Sequence, residues 1–225
     1  MNVLITGANR GIGLEFCRQL TGRGDRVMAA CRSCSSALQE LKEEVGDRLH
    51  LIEGADVTSD KGLADLLEAV DRLQIDLLIN NAGLMEAVTL DHLDPESIRR
   101  QFEINAIAPL RVTQGLLGNL SKNAKVCIVT SRMGSIDDND SGGSYGYRMS
   151  KAAANMEGRS LSVDLASRGV SVALLHPGYV RTDMTGGNGL MDADLSVAGL
   201  ITIIDRLGPQ NTGLFWHTNG EVLPS

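Results

Sequence analysis

The amino-acid sequence predicts a single α/β domain in which a doubly wound parallel sheet carries helices on both faces. Short runs rich in Val, Ile and Leu alternate five times with longer stretches whose apolar residues recur every three or four positions. A glycine-rich turn, TGANRGIG at 6–13, follows the first of these runs. No Pro/Gly/Ser-rich linker divides the chain, so residues 1–225 are expected to form one unit.

The β-like runs are short and mostly apolar. Such runs are typical of strands that are buried on both faces, as in a parallel sheet covered by helices. They predict six strands, at 2–6, 26–31, 49–54, 76–80, 125–130 and 170–175.

The stretches between these runs have the periodicity of amphipathic helices. They predict helices at 12–22, 35–45, 60–73, 96–119 and 147–168. A glycine-rich loop at 183–190 precedes a final predicted helix at 193–207. Ligands of open parallel sheets bind at the carboxyl ends of the strands, so the loops that follow the strands are where we expect a site.

The overall charge excludes some partners. A net charge of −7 and a pI near 5.1 oppose a general nucleic-acid or anionic-membrane surface, because both need a basic field. The first residues enter a strand directly, and no apolar run approaches the roughly 20 residues that cross a bilayer. We therefore expect a soluble cytoplasmic protein without a signal peptide.

The four cysteines do not indicate a metal site. Only Cys31 and Cys34 form a CxxC pair, and a zinc site would need a second pair or nearby His ligands. Cys31 ends a predicted strand, whereas a redox CxxC usually opens a helix with its nucleophile exposed. Reduced, structural cysteines are expected.

The glycine-rich turn predicts a phosphate site. Glycines allow a tight turn, and the helix that follows offers free N–H groups to a pyrophosphate. The expected cofactor contacts are Gly7, Asn9, Arg10, Gly11, Ile12 and Gly13. The spacing GxxxGxG differs from the general GxGxxG fingerprint, so a plain connecting turn is the alternative.

The end of the second strand indicates which dinucleotide binds. A carboxylate there usually accepts bonds from the ribose 2′-OH of NAD, but this strand ends in Cys31 and Arg32. Arg32 and Arg10, which lies in the glycine turn, would bind a 2′-phosphate through charge-assisted bonds. NADP(H) is therefore predicted in preference to NAD(H). The alternative is that either arginine faces solvent.

Tyr147 and Lys151 are four residues apart, so on a helix they would share one face. An ammonium one turn away favours phenolate and would lower the pKa of the tyrosine, which prepares it for proton transfer. The alternative is an exposed pair in which the ring covers the lysine stem.

Seven motifs in order resemble the short-chain dehydrogenase/reductase family. They are TGANRGIG, Asp56-Val57, NNAG at 80–83, Asn105, Ser131, YRMSK at 147–151 and HPGYVRT at 176–182. Local phrases and the chain's ending resemble the carbonyl-reductase-like branch of that family, which includes the sniffer and C-factor proteins. The resemblance implies a Rossmann-type NADP-binding domain that spans nearly the whole chain, with a short substrate loop and helix around 183–207.

The resemblance implies four catalytic residues. Tyr147 would give its proton to a substrate carbonyl oxygen as hydride arrives from the nicotinamide, or act as the base in reverse. Lys151 would support it and hold the nicotinamide ribose. Ser131 would bind the same oxygen, with Ser135 as the alternative because it lies nearer to Tyr147 in sequence. Asn105 would bend its helix and hold a water for a proton relay. Its alternative is capping or back-bonding within the helix.

The resemblance also implies cofactor contacts outside the glycine turn. They are Arg32, Asp56, Val57, Asn81, Ala82, Gly83, Tyr147, Lys151, Pro177, Gly178, Val180 and Thr182. His176 precedes a proline at a strand end and is expected to be structural.

The expected function is an NADPH-dependent reduction of an aldehyde or ketone to an alcohol. The alternative is a signalling or sensor protein on the same fold that binds NADP(H) with little turnover. The expected partners are a small-molecule carbonyl or alcohol substrate and further copies of the chain, since the relatives form dimers or tetramers through the helices that carry Asn105 and Tyr147.

Overall fold

The computed structural model describes residues 1–225 and contains one sheet of seven parallel strands. Their order across the sheet is β3, β2, β1, β4, β5, β6, β7. This confirms the predicted doubly wound fold. The strands are β1 (Asn2–Thr6), β2 (Arg26–Cys31), β3 (Leu49–Glu53), β4 (Ile75–Asn80), β5 (Leu120–Val129), β6 (Ser171–His176) and β7 (Phe215–His217).

Seven α-helices connect or flank the strands. Side-chain caps fix where three of them begin: Ser35 accepts from Leu38 N at 3.2 Å, Ser59 accepts from Gly62 N at 3.0 Å, and Asp94 caps the fourth helix. The helices are α1 (Gly11–Gly22), α2 (Ser36–Val45), α3 (Asp60–Val70), α4 (Pro95–Phe102), α5 (Ala108–Gly115), α6 (Tyr145–Asp164) and α7 (Ala193–Arg206).

The core consists of two apolar layers, one on each face of the sheet. Residues of α1, α2 and α7, such as Phe16 and Leu200, form one layer. Residues of α3, α5 and α6, such as Leu66 and Val112, form the other. Because both faces are covered, the strands are buried along most of their length, which explains their apolar sequences.

One predicted helix and one predicted strand differ from the structure, and one strand was not predicted. The helix expected at 96–119 is interrupted by a π-helical turn at Glu103–Ile107 and ends at Gly115. Strand β5 begins at Leu120 rather than at 125. The prediction missed its first residues, LSKN, because they are mostly polar and do not resemble a buried strand. The three-residue β7 was not predicted. It pairs only with β6 and is too short to show a pattern.

The strand order reverses between β1 and β4, whose following loops lead to opposite sides of the sheet. Such a reversal opens a crevice at the carboxyl ends of the two strands. None of the helices combines the length and the continuous apolar sequence that crossing a bilayer requires.

Candidate active site

A cleft lies at the carboxyl edge of the sheet, where the strand order reverses. It is lined by loops that follow six of the seven strands. Sixteen of the residues predicted to contact a cofactor line it: Gly7, Asn9, Arg10, Gly11, Ile12, Gly13, Arg32, Asp56, Val57, Asn81, Ala82, Gly83, Tyr147, Lys151, Pro177 and Thr182.

Two glycines make the turn after β1 possible. Gly7 has a φ of 65°, and a Cβ on it would lie 2.8 Å from the Ala82 Cα atom. A Cβ on Gly13 would lie 2.2 Å from the Gly7 carbonyl oxygen, so the start of α1 packs directly on the turn. No side chain caps α1. Its first N–H groups are therefore available to a pyrophosphate, which fits a dinucleotide and disfavours a plain connecting turn.

Asn81 holds the glycine turn against the loop after β4. Its Nδ2 atom donates to the carbonyl oxygens of Thr6 at 3.0 Å and Gly7 at 3.1 Å. The Thr6 hydroxyl oxygen accepts from the Asn81 and Ala82 N–H groups, each at 3.1 Å. The amide side chain is thus committed to the scaffold, and any cofactor contact of Asn81 would use its remaining oxygen or its backbone.

Two arginines lie in the loops that follow β1 and β2. Arg32 and Arg10 both line it, and Arg10 forms an exposed ion pair with Asp183 at 3.3 Å. No carboxylate stands at the end of β2. Two guanidinium groups, with no carboxylate at that strand end, form a donor set that fits a phosphate.

Asp56 follows β3 and also lines the cleft. One of its oxygens accepts from the Thr58 N–H at 3.0 Å and from the Thr58 hydroxyl at 2.7 Å. These bonds, together with the charge of Arg32, lower the pKa of Asp56. Its second oxygen has no bond within the protein and is free to accept from an adenine amino group.

Tyr147 and Lys151 lie in the first two turns of α6, and both are buried. The Lys151 Nζ atom is 5.7 Å from the centre of the Tyr147 ring and donates to the Val129 carbonyl oxygen at 2.9 Å. The alternative of an exposed surface pair is therefore wrong. The structure brings both side chains to the cleft wall.

Burial dominates the acid–base properties of this pair. It raises the pKa of Tyr147 to about 12, and the nearby Ser131 side chain acts in the opposite direction. It lowers the pKa of Lys151 to about 8. The predicted lowering of the Tyr147 pKa by Lys151 is wrong for the protein by itself, because burial of the phenol dominates and the opposing effect comes from Ser131. At neutral pH the phenol is a proton donor.

The structure separates the two candidate serines. Ser131 follows β5, and its hydroxyl oxygen accepts from the Met133 N–H at 3.2 Å. It lies close enough to Tyr147 to influence the pKa of that residue. The Ser135 hydroxyl oxygen instead accepts from the Asp138 N–H at 3.2 Å within the following loop. The geometry favours Ser131 over Ser135.

Asn105 lies in the π-helical turn between α4 and α5, so the predicted local bend of this helix is confirmed. Its side chain donates to the Leu84 carbonyl oxygen at 2.8 Å and to the Ser150 hydroxyl at 3.0 Å, and accepts from the Leu84 N–H at 2.9 Å. The alternative, capping or back-bonding within the helix, is wrong. A Cβ on Gly83 would lie 3.2 Å from Asn105 Oδ1 and 3.7 Å from Lys151 Nζ, so both side chains approach this glycine.

Comparisons with known proteins agree with this geometry. The family model for short chain dehydrogenases matches residues 1–192. The chain belongs to the short-chain dehydrogenase/reductase family. It is therefore an oxidoreductase that uses a nicotinamide cofactor, with the predicted Rossmann-type fold.

Individual members of the short-chain dehydrogenase/reductase family show the branch. The 1-hydroxy-2-glutathionyl-2-methyl-3-butene dehydrogenase of Rhodococcus sp. is 41% identical over 227 residues, which cover 98% of each chain. C-signal of Myxococcus xanthus is 46% identical over 153 residues, or 67% of this chain and 92% of that protein. The NADPH-bound carbonyl reductase from chicken fatty liver has a TM-score of 0.88 and is 31% identical, covering 100% of this chain and 98% of that one. These similarities confirm the predicted branch.

Two predicted contacts of this short-chain dehydrogenase do not line the cleft. The Val180 side chain is only 3% exposed, so it faces the interior. Gly178 faces Met191, whose sulfur would lie 2.7 Å from a Cβ at that position. Asn105 and Ser131 are not among the lining residues either, although each directly follows one in the chain, Ile104 and Thr130. The sequence analysis missed seven lining residues, most of them direct neighbours of motif residues: Cys31, Ser33, Ala55, Ile104, Val129, Thr130 and Met184.

His176 has the structural environment that the sequence predicted. Its ring packs edge-on against His217, with ring centres 5.0 Å apart. Burial, and the charges of His217 and Arg132, lower the pKa of His176 to about 4, so the ring is neutral at physiological pH. It does not line the cleft.

Glu157 lies on α6 of this short-chain dehydrogenase and has no evident role in the site. Both of its carboxyl oxygens are buried without a hydrogen-bond partner. Burial raises the pKa of Glu157 to about 8, against an opposing effect of the Lys151 charge. The ordinary pKa of a glutamate, 4.5, applies to the unfolded chain, so the folded protein holds this proton to a higher pH. The proton's contribution to the free energy of unfolding is therefore fully present below about pH 4.5 and is lost as the pH rises through 8.

The wild-type protein is expected to lose roughly 1–3 kcal/mol in its free energy of unfolding as the pH rises from about 5 to about 7.5. Glu157→Leu should not show this loss. Urea unfolding followed by the fluorescence of Trp216, the single tryptophan, measures it. Glu157→Gln should also remove the pH dependence, and Glu43→Gln on the exposed face of α2 should not. An unchanged pH slope in Glu157→Leu contradicts the assignment.

Proposed function

We propose that this protein reduces aldehydes or ketones to alcohols with NADPH, with Tyr147 as the general acid. The observation that carries this proposal is a buried neutral phenol and a lysine one turn away on α6, both lining a cleft that fits a dinucleotide, with Ser131 beside the phenol. The test is NADPH consumption with a panel of carbonyl compounds. An absence of consumption across a broad panel would count against the proposal.

The residues divide the chemistry between them. Bound NADPH supplies a hydride to the carbonyl carbon. Tyr147 donates its proton to the carbonyl oxygen, and Ser131 donates a hydrogen bond to the same oxygen and so orients it. The Lys151 ammonium stabilises the phenolate that Tyr147 becomes. In the reverse direction the same phenolate serves as the base, so these residues also suit an alcohol dehydrogenase such as the Rhodococcus relative by its name.

Lys151 and Asn105 support the return of the proton to Tyr147. Burial lowers the pKa of Lys151 to about 8, close to physiological pH, so this side chain exchanges protons readily. Asn105 is held rigidly by Leu84 and Ser150 within reach of the same glycine, Gly83, that Lys151 approaches. We infer that Asn105 places a water between Lys151 and solvent.

The preference for NADPH over NADH is assigned to Arg32 and Arg10. Arg32→Ala should raise the NADPH dissociation constant by about 10–100-fold, because one charge-assisted contact to the 2′-phosphate is lost. The NADH dissociation constant should change little. Fluorescence titration measures both, with Arg26→Ala at the opposite end of β2 as the control. An unchanged ratio of the two constants transfers the role to Arg10.

A second candidate is a sensor or signalling protein that binds NADP(H) with little turnover. The observation in its favour is the 46% identity to C-signal, a protein named for signalling. The presence of Ser131, Tyr147 and Lys151 in one buried site opposes it, since a pure sensor does not need them. NADPH binding without turnover, in both wild type and Tyr147→Phe, would favour the sensor.

We also infer that the protein is a homodimer or homotetramer. Met149, Met156 and Val163 are spaced seven residues apart on α6 and are 48%, 68% and 63% exposed, which forms an apolar stripe along one face. Wild type is expected to sediment as a dimer or tetramer, and Met156→Glu with Val163→Glu as a smaller species. Leu195→Glu, on exposed α7 surface, is the control. A monomeric wild type overturns this inference.

A further inference from the structure

Two thiols lie beside the arginine end of the cleft. The Sγ atoms of Cys31 and Cys34 are 3.7 Å apart. Cys31 is the last residue of β2 and is buried, whereas Cys34 is partly exposed. Neither is used by the proposed reaction. The pair is therefore free for chemistry of its own.

The chain between these thiols carries Arg32 and Ser33, and both line the cleft together with Cys31. Four bonds hold the segment to its neighbours. Cys31 and Arg32 accept through their carbonyl oxygens from Ala55 N at 3.0 Å and Gly54 N at 3.2 Å. The Cys34 N–H donates to Glu53 at 2.8 Å, and the Ser35 hydroxyl donates to the Asn9 carbonyl oxygen at 2.5 Å.

These bonds connect the thiol pair to both sides of the phosphate site. Glu53 is the last residue of β3 and is followed by Gly54 and Ala55, whereas Asn9 belongs to the glycine turn. Arg32 lies between the two cysteines in a segment that is fixed at these anchors. A disulfide that pulls the ends of the 31–34 turn together therefore acts on the backbone that carries Arg32.

We propose that Cys31 and Cys34 form a reversible oxidation site, and that a disulfide between them displaces Arg32 and weakens NADPH binding. The effect on NADPH rests on the proposed function, whereas the formation of the disulfide does not. A disulfide needs the sulfurs about 2.05 Å apart, so the turn must tighten around Arg32 and Ser33. For this pair, the proposal goes beyond the expectation that the cysteines are only structural.

The oxidant is a peroxide. The partly exposed Cys34, as its thiolate, attacks one oxygen of hydrogen peroxide, which forms a sulfenic acid and releases hydroxide. The Cys31 sulfur then displaces the sulfenic oxygen as water and closes the disulfide. Two thiols lose two electrons and two protons in total, and one peroxide becomes two waters. Burial raises the pKa of Cys31 to about 12, which makes Cys34 the first thiol to react.

The experiment compares reduced and peroxide-treated protein. Peptide mapping without reductant should find a 31–34 disulfide, with the intact mass lower by two hydrogens. Fluorescence titration should show the NADPH dissociation constant raised about tenfold, the equivalent of one charge-assisted hydrogen bond, with a smaller change for NADH. Dithiothreitol should restore the reduced value. Cys34→Ser should form no disulfide and keep its NADPH affinity after the same treatment.

Three outcomes overturn the proposal. The first is no 31–34 disulfide in treated wild type, and the second is a disulfide that leaves NADPH affinity unchanged. The third is a Cys34→Ser variant that loses affinity as wild type does. One result separates the two proposals: the disulfide forms on peroxide treatment, but the protein does not bind NADPH even when reduced. That result refutes both the effect on NADPH and the proposed function, and supports only the oxidation site.

Discussion

Tyr147→Phe is expected to lower kcat with NADPH and a carbonyl substrate by about 10²–10⁴-fold, the usual contribution of a positioned general acid. The ring packs in a buried site, so removing the hydroxyl alone should leave the fold and NADPH affinity near their wild-type values. The loss should therefore appear in kcat with an unchanged NADPH dissociation constant. Steady-state kinetics and fluorescence titration measure the two quantities.

Tyr145→Phe is the matched control, because Tyr145 lies on the same helix, two residues earlier, and is 37% exposed. It should retain wild-type kcat. Equal turnover by wild type and Tyr147→Phe would show that the phenol is not the proton donor. A fall of the same size in Tyr145→Phe would show that the effect belongs to the helix and not to the hydroxyl.

Gly13→Ala is expected to cost about 1–3 kcal/mol of stability and to raise the NADPH dissociation constant by about 10–100-fold. The added Cβ would lie 2.2 Å from the Gly7 carbonyl oxygen, a distance that no flexible side chain can relieve. The start of α1 must move away from the turn. The N–H groups that this helix presents to a pyrophosphate move with it.

Gly22→Ala tests whether this effect is specific to the turn. Gly22 is the last residue of α1, and no atom lies within 4 Å of a Cβ at that position. The variant should equal or slightly exceed wild type in stability, because alanine favours a helix. It should bind NADPH as wild type does. Unchanged NADPH affinity in a folded Gly13→Ala would remove the glycine turn from the cofactor site.

Much of the fold could be predicted from the sequence, because buried parallel strands and amphipathic helices leave distinct patterns. Ranges such as β1 and β2 agree with their predictions residue for residue. The π-helical turn around Asn105 could not be derived from periodicity, and the bonds of the Asn105 side chain go to Leu84 and Ser150, which are distant in sequence. It entered only through the family resemblance.

The electrostatics of the site were less accessible to sequence reasoning. Helical spacing correctly places Lys151 one turn from Tyr147, but it says nothing about how much water reaches the phenol. Burial raises the pKa of Tyr147 to about 12, the reverse of the predicted direction. The bond from Lys151 to the Val129 carbonyl oxygen likewise depends on how α6 packs on β5. The closeness of Cys31 and Cys34 follows from the local turn, which CxxC spacing alone does not determine.

The central claim is that Tyr147, Ser131 and Lys151 surround the reactive end of a bound nicotinamide. A crystal structure of the protein with NADP⁺ tests it most directly. We expect the pyrophosphate at the start of α1, the 2′-phosphate between Arg10 and Arg32, and the nicotinamide ring facing the Tyr147 hydroxyl. A nicotinamide bound elsewhere, or a Tyr147 hydroxyl pointing away from the ring, would contradict the assignment of this site as a reductase.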